Sequence, residues 1–372
     1  MTESYHPGKR FSVTFSQTCE TPVEKIKPMD RTEKMCYNNN TTNKGGMCVR
    51  ALLEKLHRDH RLTEEEYARL LLERAPVWSA ELRRLADGWQ HRYFGNRVYL
   101  RGVLDVSSIC QHDCLHCTQG CSADPRIRYR LRPREILELC EEGWTQELRS
   151  LVLRCGTDRF YGDEMLCGLL EKLRHMNPDC ALTIAMGERS RRSYERLFNA
   201  GAEGYQLLQE TVSRKRYEAI HSESLSLDRR LHCLNEVRDT GFQTGCGFLV
   251  GIPGQRETEL ARELKFLEEF QPNTLELVPV GPQEPGLLGY LLSILRLMLP
   301  QAMIVAPRNA PAAVAAGANL VQVSLLPERE SFPLCCGNPC GGPATQPSLA
   351  ALRQSLSEVG FEVSTDIPRW NG

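Results

Sequence analysis

From residue 98 onward, eight short apolar runs recur along this chain, separated by stretches of helical periodicity. The runs cover residues 98–106, 150–154, 181–186, 204–208, 244–250, 274–278, 302–305 and 320–324. Between them lie Pro133–Cys140, Glu164–His175, Arg191–Ala200, Leu227–Thr240, Glu257–Phe270, Gly286–Leu299 and Asn309–Ala316. Strands alternating with helices build parallel sheets, because a parallel neighbour needs a long crossover connection. Eight such repeats in about 225 residues predict an α/β fold, a closed (βα)8 TIM barrel. The competing open doubly wound sheet requires a glycine-rich phosphate turn after its first strand. A cysteine loop stands there instead.

That loop reads Cys110-Gln111-His112-Asp113-Cys114-Leu115-His116-Cys117, directly after the run Val98–Val106. Its spacing is C-x3-C-x2-C. Iron–sulfur clusters are held by cysteine thiolates, and a cubane normally takes four of them. Three thiols in one loop therefore suit a [4Fe–4S] cluster with one iron left open to a ligand. A four-cysteine zinc site would want paired C-x2-C knuckles, and only one is present. Free buried thiols are the other alternative. Ligand type, spacing and strand context together favour the cluster, with Cys110, Cys114 and Cys117 as its metal ligands.

The loop and its placement resemble the radical S-adenosylmethionine (SAM) superfamily, although His116 fills a position that is usually aromatic. The resemblance implies that the open iron chelates SAM and that reduction releases a 5′-deoxyadenosyl radical. It also points to the C-terminal ends of the strands, where chemistry gathers in such barrels. After the second strand, Gly156 and Thr157 stand where the family carries a Gly-Gly-Glu-like motif that holds the SAM amino group. The acidic residue is displaced, with Asp158 next in sequence. Glu188 follows the third strand and Glu210 the fourth. A carboxylate facing a cavity is costly unless paired, so Glu210 is expected to meet the SAM ammonium or ribose and Glu188 another polar group. Arg230, on the following helix, offers a bidentate fork to the SAM carboxylate. Gly251, in the glycine-rich end of the fifth strand, would let backbone approach a flat group such as adenine. The competing reading makes the carboxylates solvated loop residues and Arg230 a surface residue. No catalytic residue is assigned.

A narrower resemblance rests on Phe94–Arg101, the cysteine loop, Gly187-Glu188, Gln209-Glu210-Thr211, Arg230–Leu234 and Thr244–Gln255. These look like the HydE group of [FeFe]-hydrogenase maturation proteins, which sits with biotin synthase and methylornithine synthase. The group implies a substrate that is a small molecule or iron complex, a low-potential electron donor, and HydG and HydF as partners. Beyond residue 275 the likeness weakens: the segment Val280–Gly286 is short, Pro307-Arg308-Asn309 replaces small hydroxyl residues, and Leu208 replaces a basic one. A divergent relative with another small-molecule substrate stays open. So does a non-catalytic iron–sulfur scaffold.

The remaining sequence sets boundaries. Residues 1–47 read as a poorly ordered extension, polar and turn-rich through Asn38–Gly46, with nothing to bury. Met47 precedes a helical pattern, which allows residues 1–46 to lie outside the native protein. Residues 48–97 form a helical lead-in, with a capping signature at Thr63–Glu66. Residues 98–330 are the barrel, and 331–372 a short tail with Cys335, Cys336 and Cys340. Those three thiols lack the partners for a second cluster, so one cubane per chain is expected. The formal net charge of −1 gives no reason to expect nucleic acid or an anionic membrane. No apolar run approaches the ~20 residues of a membrane span, and the N-terminus lacks a secretion signal, so the expectation is cytoplasmic. Sixteen cysteines then stay mostly reduced. Cys140, Cys167, Cys180 and Cys233 read as small buried hydrophobes.

Overall fold

The computed structural model describes residues 47–122, 128–145, 147–281, 283–307, 310–326 and 348–368. Residues 1–46, and with them the expected extension, and the tail cysteines Cys335, Cys336 and Cys340 lie outside the described residues. Three helices lead in: α1 (Val49–Asp59), α2 (Glu64–Leu72) and α3 (Pro76–Phe94). Thr63 and Glu66 do form a reciprocal capping box at the start of α2, which satisfies two backbone N–H groups that a helix start leaves open. The apolar stripe of α1 (Leu52, Leu53 and Leu56) is fully buried.

Eight strands follow, all parallel: β1 (Arg97–Asp105), β2 (Ser150–Arg154), β3 (Ala181–Ala185), β4 (Gly204–Gln206), β5 (Gln243–Val250), β6 (Thr274–Pro279), β7 (Met303–Ile304) and β8 (Leu320–Ser324). Strands β1 to β7 each pair with their sequence neighbours, and β8 pairs with β1 through the register Tyr99↔Leu320 and Arg101↔Gln322. A bridge between Val305 and Leu320, with Ala306 N donating to Leu320 O at 2.8 Å, joins β7 to β8. The sheet is a nearly closed eight-stranded barrel. Around it run α4 (Pro133–Glu142), α5 (Asp163–Met176), α6 (Arg191–Asn199), α7 (Arg214–Ile220), α8 (Leu227–Thr240), α9 (Glu257–Phe270), α10 (Leu287–Met298) and α11 (Ala310–Val314). Among the helices around the barrel, periodicity missed α7; at seven residues it is too short to show a repeating apolar face.

The bottom of the barrel is plugged by apolar side chains, as such barrels usually are: Phe94 from the end of α3 meets Tyr99, Met303, Val305 and Leu320. Helix α12 (Leu349–Ser357) buries Leu352 and Leu356 with Val98, Leu100 and Val321 on the outside of β1 and β8. Strand β9 (Glu362–Val363) then pairs with the start of β1. Among the described residues, no helix is long and apolar enough to cross a membrane.

Candidate functional site

The loop after β1 is built by its own backbone. Cys110 N donates to Gln119 O at 3.1 Å, Cys117 N to Cys114 O at 3.0 Å, and Cys121 N to His112 O at 3.2 Å. Arg128 reaches in with Nη1 to hold the carbonyls of Ser108 and Gln119, each at 2.8 Å. Helix α7 and the turn after it support the other side: Leu115 N donates to Ile220 O at 2.8 Å, and His112 Nδ1 lies 2.9 Å from Ser224 Oγ. The three cysteines are half-buried and form no disulfide with one another. Backbone N–H groups point at two of the sulfurs, His112 N to Cys110 Sγ at 3.5 Å and Gln119 N to Cys117 Sγ at 3.4 Å. Such donors favour a thiolate. Burial pushes the Cys114 thiol up to about 11, so its ionisation calls for a cation; coordination to a metal removes that proton outright.

The residues singled out from the sequence converge on this loop. Gly156 packs directly against Cys110: a Cβ there would sit 2.5 Å from the cysteine Cβ and 2.8 Å from its sulfur. The Thr157 carbonyl accepts from Gln111 N at 3.1 Å. Asp158, the acidic residue next in line, is committed elsewhere. It takes Arg130 Nε and Nη2 at 2.8 and 2.9 Å and the Ser107 hydroxyl at 2.7 Å, which fixes the two flanks of the loop together.

Glu188 and Arg230 are each other's partner. Arg230 Nε donates to Glu188 Oε1 at 2.8 Å, and its Nη1 to the Leu208 carbonyl at 2.6 Å. On its helix Arg230 is 7% exposed, so the surface reading of this residue does not hold. Glu210 has φ +66°, a backbone conformation that costs a non-glycine residue energy. It bridges to Phe248 of β5, with Glu210 N donating to Gly247 O at 3.0 Å. Its carboxylate takes the His221 Nε2 hydrogen bond and lies 3.5 Å from His116 Nε2. Burial opposes its charge, yet the hydrogen bonds from His116 and His221 hold it well below the usual carboxylate range. Gly251 turns the end of β5 at φ +92°, a conformation suited to glycine, with its N–H on Gln255 Oε1 at 2.8 Å.

Sequence reasoning missed His221 entirely. Its only local signal is its position 11 residues after Glu210, across a helix that periodicity does not reveal. His116, which fills the usually aromatic position before Cys117, faces that same carboxylate. His116, Glu210 and His221 place three ligand-type atoms within 4.8 Å of one another. Of the four cysteines read as buried hydrophobes, Cys140, Cys180 and Cys233 are buried, whereas Cys167 is half-buried.

A cleft of about 710 Å³ opens between the cysteine loop and the ends of β5 and β6. Its walls include Leu115, His116 and Cys117 on one side and Leu249, Ile252 and Val280 on the other. That volume is in the range of small-molecule and cofactor sites. Three half-buried thiols, N–H groups aimed at their sulfurs and an adjoining cleft of this size fit a cluster with a small-molecule ligand.

The "Radical SAM superfamily" family model matches residues 104–267, which take in the cysteine loop and the ends of β1 to β5. The [FeFe] hydrogenase maturase subunit HydE of Thermotoga maritima is 30% identical over 239 residues, 64% of this chain and 67% of that protein. The chain belongs to the radical SAM superfamily. Within it, 3-methylornithine synthase of Methanosarcina acetivorans is 25% identical over 293 residues, covering 74% of this chain and 82% of that one. Among solved structures, methylornithine synthase (PylB) superposes with a TM-score of 0.74 at 22% identity, covering 84% of this chain and 97% of its own. The maturase HydG from Carboxydothermus hydrogenoformans gives 0.69 at 19% identity, over 84% and 78% of the two chains. At those identities the structures establish the barrel and its strand order. The sequence relatives make this a radical SAM enzyme related both to HydE and to methylornithine synthase.

Proposed function

We propose that this radical SAM protein holds a [4Fe–4S] cluster on Cys110, Cys114 and Cys117, binds SAM beside it, and cleaves SAM reductively. The observation that carries this reading is the half-buried cysteine loop, with two sulfurs already hydrogen-bonded by backbone, opening onto a cleft of about 710 Å³. When bound, the pair supplies one-electron cleavage of a sulfonium, giving methionine and a 5′-deoxyadenosyl radical. The chain's own residues do the holding. Gly156 lets the β2 end approach Cys110, and Thr157 anchors the loop through Gln111. Glu210, held ionised by two histidines, suits the cationic or hydroxylated parts of SAM. Arg230, oriented by Glu188, suits its carboxylate. Leu249 and Ile252, flanking Gly251, line an apolar wall fit for a flat ring.

The test is anaerobic reconstitution with iron and sulfide, reduction, and assay of 5′-deoxyadenosine. The expected result is one cubane per chain and SAM-dependent product, both lost when any of the three cysteines becomes Ala. A variant that keeps a reducible cubane and normal cleavage would overturn the assignment.

A role in [FeFe]-hydrogenase maturation, alongside HydG and HydF and with a low-potential electron donor, is the finer version of this reading. The 30% identity to HydE supports it. It is tested by whether the chain replaces HydE in an anaerobic maturation assay of apo-hydrogenase. The second reading, a different small-molecule substrate, is supported by the 25% identity to 3-methylornithine synthase, which extends over more of this chain than the HydE match does.

A further inference from the structure

Three residues from separate parts of the chain meet beside the cysteine loop: His116 within it, Glu210 after β4, and His221 immediately after α7. One backbone hydrogen bond brings the two histidines side by side. Leu115 N donates to Ile220 O at 2.8 Å, and the residues that follow each, His116 and His221, meet edge to face with ring centroids 5.2 Å apart. Strand β5 sets Glu210 opposite them. Glu210 N donates to Gly247 O at 3.0 Å, and Leu249 N to Glu210 O at 2.9 Å. Those bonds hold Glu210 at φ +66°, a conformation that persists in a non-glycine residue only where its surroundings enforce it. The side chains are nearly dry, with His116 9%, Glu210 11% and His221 1% exposed. A polar cluster buried to that extent is costly unless something pairs it.

Both Nε2 atoms face the same oxygen, Glu210 Oε2. His221 is also oriented from behind. Its Nδ1 lies 2.9 Å from the Tyr217 carbonyl, which can only accept, so Nδ1 carries a hydrogen. In the neutral ring, Nε2 then presents its lone pair toward Glu210. A backbone carbonyl behind the far nitrogen is a common way of holding a metal-binding imidazole. The Tyr217 ring stacks on His221 at 3.8 Å and fixes its plane. A proton on Nε2 makes the hydrogen bond to Glu210 described above, and a metal ion takes such a proton's place when it binds. Ligand atoms ~2.0–2.2 Å from a tetrahedral zinc stand ~3.4 Å from one another. His116 Nε2 and Glu210 Oε2 are 3.5 Å apart, and all three ligand-type atoms lie within 4.8 Å. Two imidazoles and a carboxylate suit zinc or ferrous iron, and three protein ligands leave one position open. His116 lines the cleft of about 710 Å³, which puts that open position on the cleft side.

We infer that His116, Glu210 and His221 form a mononuclear site for a divalent transition-metal ion, separate from the cluster, with its open position facing the cleft. The site uses no cysteine, so it stands or falls independently of SAM cleavage. Both histidines face Oε2, which leaves Oε1 of Glu210 to the SAM contact proposed above.

The experiment uses the cluster-loaded full chain, in which the three thiols of the loop are already occupied. Zinc is added anaerobically, the excess is removed by desalting, and zinc and iron are counted per chain. Zinc displaces any ferrous iron that reconstitution leaves in the site, since it stands higher in the affinity order. Zinc-edge X-ray absorption then reads the ligand type. The expected result is one zinc beside about four irons. Its shell should hold nitrogen and oxygen at ~2.0–2.1 Å, with no sulfur at ~2.3 Å. His221→Gln should weaken zinc binding, measured by competition with a chromophoric chelator, roughly a hundredfold or more, since losing a ligand's hydrogen-bond partner alone costs about 10–100-fold. Its iron content and circular dichroism report whether it folds, and His116→Gln is the second variant if it does not. His175→Gln, on the exposed end of α5, should bind zinc like the parent. No retained zinc, sulfur in its shell, or parental affinity in the folded His221 or His116 variant would overturn the site. If the cluster does not load, the radical SAM reading has failed, and the same zinc measurements on the chain carrying Cys110→Ala, Cys114→Ala and Cys117→Ala decide the metal site.

Discussion

Gly156 and Cys110 are in contact so closely that no larger residue fits between β2 and the cysteine loop: the nearest cysteine atom is 2.5 Å from where a methyl carbon would be. Real Cβ atoms do not approach that near, so Gly156→Ala must displace the first thiol of the loop. The expected outcome is an intact barrel by circular dichroism with less iron retained per chain after anaerobic desalting. Iron content equal to that of the unsubstituted protein would mean that the loop moves aside without consequence for the cluster.

Glu210 is held by two histidines in a strained backbone conformation beside the loop. Glu210→Ala should weaken SAM binding roughly ten- to hundredfold, the equivalent of about 1.5–3 kcal/mol for a lost charged hydrogen bond. Calorimetric titration of SAM into the cluster-loaded variant measures this. Unchanged affinity would assign Glu210 to loop architecture alone.

Glu188 and Arg230 form an ion pair with side chains 12% and 9% exposed. Removing one partner of a buried pair typically costs about 3–5 kcal/mol, because the other is left uncompensated. Glu188→Ala should fall at the low end, since Arg230 keeps the Leu208 carbonyl. Urea denaturation gives the value. A loss well under 1 kcal/mol would show that another acceptor replaces Glu188 without cost.

Glu263 of α9 holds the backbone after Glu210: its Oε1 accepts the Thr211 hydroxyl at 2.7 Å and Val212 N at 2.8 Å. Burial pushes its carboxyl up to about 7, against those hydrogen bonds. The folded chain therefore keeps a proton that the unfolded chain loses as pH climbs from about 4 to about 7. Stability falls across that window, and the penalty, on the order of 3 kcal/mol, is complete above it. Glu263→Gln retains an acceptor oxygen and cannot ionise. It should match the parent in urea near pH 4.5 and exceed it at pH 8. Equal midpoints at both values would show that the carboxyl titrates normally.

Much of the architecture is written locally. Apolar runs such as Leu151–Leu153 and the helix that follows each are set by near neighbours in the chain, so eight repeats are legible without a structure. The cysteine loop is equally local, since three ligands within eight residues need only one turn to meet. The short helix α7 is not legible, because seven residues carry too little periodicity, and it brings His221 to Glu210. Nor are the pairings Glu188–Arg230, Arg101–Gln206 and Gln206–Glu276, which join residues 42, 105 and 70 positions apart. By itself the sequence determined the repeat, the loop and the ligand type, all matters of spacing along one chain. Which polar side chains face one another across the barrel was decided only by the register of the strands, because a shift of one residue in β4 or β6 would turn Gln206 or Glu276 to the opposite face.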